Sequence, residues 1–376
     1  MDEAIDIINA VAAISAKSEL AGLRMQRPDV LHYAQESYDT LFAPGAEDGF
    51  TLVERGQAAL RVAVLEANPP LIAHYRNYLR QLGQEEQAIR SVEAFAAGSE
   101  LSSRTCAMLH HVDLLTHQPA AATPTDLSPL QAAGFSTRNI VTLSQLIAFL
   151  SFQTRLVSAL RSFSALAAQP SAPLLGPYHT WQSRPVYVAA QGFTLQPIGW
   201  NAWLPILDLA NATPDQIAVL EESTPTAKTS PYYLLLVQDM EVLRARSRLY
   251  NAIMYGPRGL ARAERELAAL AVSRINGCPY CASIHAQRFA QLTKQPEIVT
   301  RLWEEGVETS LEPRQRAIVD YAVKLTRQPS QMADSDLAVL REMNLSDWEI
   351  LDLTHVIAMF AWANRLMQTL GEPVKV

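Results

Sequence analysis

Cysteine is nearly missing from this sequence, with three in 376 residues, at Cys106, Cys278 and Cys281. A disulfide framework needs more, which excludes a stapled secreted scaffold. Charge is sparse as well, at 18% of residues with a net of −7, and no basic stripe marks nucleic acid as a partner. With so little charge neither half reads as disordered; 49% of the residues are hydrophobic, enough for a large core, and the length suggests two domains. The start, Met1-Asp2-Glu3-Ala4, is acidic where a secretory signal would be basic. The apolar run Leu143 to Leu150 is too short to span a bilayer and is soon followed by Arg155. The expectation is a soluble cytoplasmic protein with no membrane contact. Strand signals are scarce too, since β-branched residues seldom alternate with polar ones.

What the sequence has instead is helical periodicity. Apolar residues recur at three and four positions in Ala58 to Leu65, Ala268 to Val272 and Ile350 to Ile357, which predicts an all-α protein. It also has an internal repeat. Displaced by 210 positions without a gap, Glu54, Arg55 and Ala58 fall on Glu264, Arg265 and Ala268. Arg104, Leu115 and Asp126 fall on Arg314, Leu325 and Asp336, while Ser136, Arg155 and Leu160 fall on Ser346, Arg365 and Leu370. An ungapped register of that length is hard to obtain from composition alone. Two tandem copies of one helical domain are expected, each leaving an apolar face that the other covers as an intrachain pseudo-dimer. Between Gln169 and Trp200 lie five prolines and three glycines, so the predicted division is residues 1–168, a linker at 169–192, and residues 193–376.

The chemistry concentrates in residues 264 to 287. A helix from about Ala261 should end at Asn276-Gly277, where glycine suits the left-handed position after a helix. Pro279 suits the first turn of the next helix, with Cys278 at its N-cap and Cys281 two residues beyond Pro279. Both thiols would then lie at the positive end of the helix dipole, which favours thiolate. His285 follows Cys281 by four residues and shares its face. If the two helices fold back, Glu266 lies nearer His285 than Cys278 and can orient the imidazole. The pattern reads as a base-assisted thiol with a second thiol placed to close a disulfide.

These residues resemble the alkylhydroperoxidase D-like branch of the carboxymuconolactone decarboxylase superfamily. The shared pattern is Glu, eleven residues, Cys-x-x-Cys, three residues, His, complete here as Glu266, Cys278, Cys281 and His285. Tyr250 to Met254 and Asn364-Arg365-Leu366 are similar to the peroxidase-related members. The resemblance covers the C-terminal copy from about Phe193. It implies two alkylhydroperoxidase D-like helical domains, a cofactor-free thiol enzyme and a homo-oligomer. It further implies a peroxide or disulfide as substrate and a dithiol or protein as reductant. Tyr280 stands where the best-studied pattern has a histidine, so a second proton carrier is missing. In the N-terminal copy Gly56, Asn68, Leu71 and Tyr75 occupy the four motif positions, which predicts no thiol chemistry there.

Other readings of the same residues stay open. Cys278, Cys281, His285 and Glu266 could supply four zinc ligands in number, although no second cysteine pair accompanies them and no metal is expected. The pair could equally be an inert buried dithiol. Tyr280 and His355 are candidate pocket residues, with packing and a core position as the plainer alternatives. Cys106 reads as an isolated free thiol, and Asn364 with Arg365 as a helix-anchoring pair. The leading expectation is thiol-dependent peroxidase or disulfide reductase chemistry. The alternatives are a lyase like carboxymuconolactone decarboxylase, which needs no cysteine, and a non-catalytic oligomeric ligand-binding protein.

Overall fold

The computed structural model describes residues 6–43, 49–96, 100–163 and 193–375. The expected linker at 169–192 lies outside the described residues. The N-terminal half contributes α1 (Ile7–Ala12), α2 (Glu19–Arg24), α3 (Pro28–Leu41), α4 (Leu52–Leu65), α5 (Pro69–Gln81), α6 (Glu86–Glu93), α7 (Ser103–His117), α8 (Ser128–Ala132) and α9 (Thr137–Phe163). The C-terminal half opens with strand β1 (Ile198–Ala202), α10 (Pro214–Ser223) and α11 (Pro231–Leu236). It continues with α12 (Met240–Tyr255), α13 (Arg262–Ile275), α14 (Pro279–Thr293), α15 (Pro296–Glu304), α16 (Pro313–Arg327), α17 (Asp334–Glu342), α18 (Asp347–Thr369) and strand β2 (Gly371–Lys375).

The repeat is a repeat of structure. Helices α4, α5, α6, α7 and α9 recur as α13, α14, α15, α16 and α18, each beginning 210 positions later. Local determinants recur with them. Arg104 pairs with Glu54 at 2.5 Å and donates to the Ala133 carbonyl at 2.9 Å; Arg314 pairs with Glu264 at 2.6 Å and donates to the Met343 carbonyl at 3.0 Å. Ser346 starts α18 with a capping box that uses Glu349, the kind of cap worth about 1 kcal/mol.

The copies are joined through α9 and α18, which pack against each other along almost wholly buried faces. The junction is reciprocal, as two-fold related surfaces must be. Arg155 Nη2 donates to the Thr326 carbonyl at 2.8 Å, and its counterpart Arg365 Nη2 donates to the Thr116 carbonyl at 2.9 Å. Glu66 lies 3.2 Å from the first guanidinium and 3.6 Å from the second. Trp362, wholly buried on α18, donates to Gln145 of α9 at 2.8 Å. The fold is therefore two tandem copies of one helical domain, packed as a pseudo-dimer within one chain.

Two features depart from the sequence reading. The apolar run at 143–150 is part of a 27-residue helix, α9, long and apolar enough by length and composition to cross a membrane. It continues through Ser151, Gln153, Thr154 and Arg155, which are buried: Ser151 donates back to the Ile147 carbonyl, Gln153 accepts from Tyr75 of the same copy, and Arg155 reaches the Thr326 carbonyl of the second. Its most apolar window is entirely buried within the molecule. A small antiparallel pair, β1 with β2, closes the C-terminal copy with Trp200 opposite Pro373. A Cβ at Gly371 would lie 2.2 Å from the Trp200 ring and from the Asn201 carbonyl, so only glycine allows that approach.

Candidate active site

Helix α13 ends as its sequence dictates. Asn276 caps it, Gly277 takes φ +68°, and Cys278 becomes the N-cap of α14 with Pro279 at the first helical position. The turn is pinned from α18: Asn276 donates to Asn364 Oδ1 at 3.0 Å, and Asn364 donates to Ser273 Oγ at 3.0 Å. All three side chains are buried. Asn364 thus anchors the cysteine turn, while its neighbour Arg365 crosses to the other copy.

The turn folds α14 back along α13, and Glu266 meets His285, with 2.5 Å between Oε2 and Nδ1. Glu266 is 0% exposed, and its other oxygen accepts from Arg262 Nε at 2.6 Å. Burial alone would push this carboxyl up, but the charges and hydrogen bonds of His285 and Arg262 outweigh it and hold it below the usual carboxylate range. An ionised carboxylate only accepts, so Nδ1 is the nitrogen that donates to Glu266, and in the neutral ring Nε2 is the acceptor. The imidazole stands edge-on to Phe360 at 4.4 Å.

Cys278 and Cys281 are buried free thiols at the start of α14. The sequence led us to expect the helix N-terminus to favour thiolate at both. At Cys278 the opposite holds: burial, then the adjoining Cys281 sulfur, push its thiol well up, and the amides of Cys281 and Tyr280 oppose this only in part. A dipole's influence is smaller than the cost of removing a charge from water. Tyr280, half-buried between the cysteines, is pushed up to about 12, first by burial and then by the neighbouring thiols.

The structure therefore brings Glu266 and His285 together, and Cys278 with Cys281 and Tyr280. His355 lies apart from them. It is 1% exposed, neither ring nitrogen has a hydrogen-bond partner among the described residues, and the charges of Arg24 and Arg27 of the N-terminal half act on it. Cys106 is half-buried with its thiol directed at the Leu101 carbonyl, 3.6 Å away. Among the described residues no three His, Cys, Asp or Glu side chains are grouped as metal ligands.

Sequence reasoning missed Arg262, although its spacing of four before Glu266 on one helix was a readable signal. It also missed Arg27, whose guanidinium reaches from the first copy to Asp352 at 2.8 and 2.6 Å and to the carbonyls of Pro257 and Arg258. Arg265 donates to the Arg258 carbonyl at 2.7 Å as well. Together they fix the loop that launches α13. Nothing local in the sequence announces a contact between residues so far apart.

Residues 240–299 match the sequence model of the Carboxymuconolactone decarboxylase family. The match spans α12, α13 and α14 and so includes Glu266, both cysteines and His285. A crystal structure of an alkylhydroperoxidase core, an uncharacterised peroxidase-related protein from Ralstonia eutropha JMP134, is 27% identical. It covers 45% of this chain and 88% of its own, with a TM-score of 0.40. An uncharacterised peroxidase-related protein from Silicibacter sp. TM1040 is 28% identical over 44% of this chain and 91% of its own, with a TM-score of 0.38. A search of curated proteins gives no match.

Proposed function

We propose that the C-terminal copy is a thiol-dependent peroxidase or disulfide reductase in which Glu266 and His285 serve a Cys278–Cys281 dithiol. The observation behind this reading is the buried carboxylate on Nδ1 of His285, on the helix whose first turn holds both thiols. The family match supports the coarser class, peroxidase-like or decarboxylase-like.

In the proposed cycle His285 Nε2 takes the Cys281 proton, directly or across one water. The sulfur attacks the nearer peroxide oxygen, the O–O bond breaks, and the alkoxide leaves as the alcohol with a proton from His285, giving a sulfenic acid on Cys281. Cys278 attacks that sulfur, water departs, and the disulfide closes. An external dithiol, small or on a protein, reduces it by exchange. With a disulfide substrate, Cys281 forms the mixed disulfide and Cys278 resolves it. Burial and the adjoining Cys281 sulfur keep Cys278 protonated, which suits it to the resolving role and leaves Cys281 as the attacking thiol. We assign residues 1–168 and 193–376 as the two domains, the first without thiol catalysis, in a cytoplasmic homo-oligomer.

The test is a hydroperoxide screen with dithiothreitol or dihydrolipoamide as reductant, comparing wild type with Cys281→Ser. We expect activity to vanish in the variant while fold and oligomeric state persist. Full residual turnover would sink the reading. A second reading has its own support, because the Glu266–His285 pair is complete without either thiol. A decarboxylase-like lyase would retain its activity when both cysteines become serine.

A further inference from the structure

The C-terminal copy contains a second polar constellation that the thiol cycle does not use. Arg246 of α12 is 3% exposed, yet among the described residues no carboxylate lies within ion-pairing distance, and its Nε has no hydrogen-bond partner. Its guanidinium carbon lies 5.6 Å from the Tyr232 ring centroid, 6.0 Å from Tyr250 and 5.9 Å from Trp362. Tyr232 of α11 is equally buried, and its hydroxyl also lacks a partner. A buried cation is ordinarily paired, because an uncompensated one loses its hydration with nothing in return. Aromatic faces return part of that loss, but they offer no acceptor in the plane of the five guanidinium N–H groups. The Tyr233 hydroxyl beside it is a single acceptor. The two unsatisfied groups therefore describe a site that is finished by something else.

This constellation is continuous with the proposed catalytic groups. The Tyr250 ring under Arg246 is 6.3 Å from Phe360, and Phe360 is 4.4 Å from the His285 ring. On the other side Tyr232 stands edge-on to Trp200 at 5.5 Å and to Tyr233 at 5.4 Å. Burial keeps the Tyr232 hydroxyl protonated and able to donate, and the sulfurs of Cys281 and Cys278 are close enough to be felt there.

We propose that Arg246 and the Tyr232 hydroxyl form a carboxylate-binding subsite that anchors the acid end of an organic substrate whose reacting group meets Cys281. One buried cation in apolar surroundings balances one negative charge, so a monoanion fits and a phosphate dianion would leave net charge in a dry site. The planar fork matches a carboxylate in two parallel hydrogen bonds, and the rings suit an apolar or aromatic body. The substrate class is then a hydroperoxide, or a disulfide, bearing a carboxylate. What the anchored molecule undergoes rests on the thiol reading above; the binding itself does not.

The probe is 4-phenylbutyrate, with 4-phenylbutyramide as its uncharged twin, titrated calorimetrically into the reduced full-length protein. We expect the acid to bind at least tenfold more tightly than the amide. Arg246→Met should erase that preference, Arg246→Lys should restore part of it, and Tyr232→Phe should weaken the acid several-fold. If Arg246→Met does not fold, Tyr232→Phe, which loses one oxygen, and the acid–amide difference decide the matter. Equal binding of acid and amide to wild type overturns the subsite, as does unchanged acid binding in Tyr232→Phe together with Arg246→Lys. Acid preference without turnover of any hydroperoxide keeps the subsite and removes the peroxidase reading. Equal kcat/KM for a carboxylated hydroperoxide and its methyl ester, with no acid preference in binding, does the reverse.

Discussion

Glu266 and Gly56 hold the same place in the two copies, and their surroundings have diverged completely. Around Glu266 the space is polar: His285 and Arg262 each take one carboxylate oxygen. Around Gly56 the space is filled by apolar side chains, since a Cβ there would meet Leu79 at 2.8 Å and the Tyr78 ring at 3.0 Å. Tyr75, at the position of His285, donates to Gln153 at 2.6 Å and stacks with Phe42 at 5.7 Å. Asn68, at the position of Cys278, caps α5 through the Leu71 amide at 3.1 Å. The backbone frame is common to both. The difference teaches that the frame stands on its own ion pairs, caps and reciprocal arginines, while the candidate chemistry is a handful of side chains laid upon it.

The strongest way to break the comparison is to put the carboxylate back. Gly56→Glu would bury a charge with neither the imidazole nor the arginine that Glu266 enjoys, in space that Tyr78 and Leu79 already fill. Overpacking costs about 1–3 kcal/mol and an unpaired buried polar group about as much again. We expect a loss of roughly 3 kcal/mol or more in urea unfolding, larger than for Gly56→Ala. A variant as stable as wild type would show that the first copy still has room for a site.

The buried histidines sharpen the comparison next, because each has a partner in the other copy that does not titrate. His111 bonds Ser144 at 3.2 Å where Tyr321 bonds Thr354 at 2.8 Å, and His355 stands where the first copy has Gln145. Burial lowers His111 to about 4 and, with Arg24 and Arg27 adding, lowers His355 to about 3. An unfolded histidine titrates near about 6.5. As pH falls below that, the unfolded chain takes up protons that the folded one refuses, so stability is lost on the way down to the folded values. Each group contributes about 1.4 kcal/mol per pH unit in that window. His111→Tyr with His355→Gln should therefore reduce the loss between pH 7 and pH 5 by roughly 4 kcal/mol. Parallel wild-type and variant curves would mean that these rings are reached by water.

A smaller effect is expected at the thiol. His285→Ala, leaving a residue as inert as Leu71 or Tyr75 on the first copy's counterpart helix, should slow alkylation of Cys281 by iodoacetamide at neutral pH. A tenfold loss of thiolate slows the reaction only about threefold, because the remaining thiolate is the better nucleophile. Mass spectrometry of the alkylated peptide reads Cys281 separately from Cys278. Identical rates in both proteins would remove His285 from the relay.

Much of this was legible in the sequence, for physical reasons that are themselves local. Gly277 and Pro279 punctuate a helix end and a helix start wherever they occur, so the cysteine turn could be placed without coordinates. The repeat was visible because residues such as Arg104 and Arg314 serve the frame, which both copies need. What escaped depends on contacts between distant segments. The polar continuation of α9 finds its partners in Tyr75, Glu66 and the Thr326 carbonyl, all far away in sequence, and Arg27 acts on a loop more than two hundred positions away. The Cys278 reading failed because a motif displays the helix dipole but not the depth of burial, and burial is the larger influence.

Arg262 is the subtlest point of the comparison, since it acts on the thiols only through Glu266. Its side chain is partly exposed, lies 4.2 Å over the Tyr255 ring and is four residues from Glu266. An ion pair of that kind contributes little stability, about 0.3–1 kcal/mol. Its other consequence is electrostatic. Burial pushes the Glu266 carboxyl up while His285 and Arg262 hold it down, so Arg262→Met lets it rise. A protonated Glu266 no longer dictates that Nδ1 carries the proton, and Nε2 ceases to be a reliable acceptor. The acidic limb of the kcat/KM profile should then move to higher pH. We expect a loss of a few-fold at pH 7 that grows towards pH 5, with Arg262→Lys recovering part of it. Melting temperature should barely change, which separates this role from a structural one. Superimposable pH profiles would reduce Arg262 to an ordinary surface pair and leave His285 as the only group that sets the charge of Glu266.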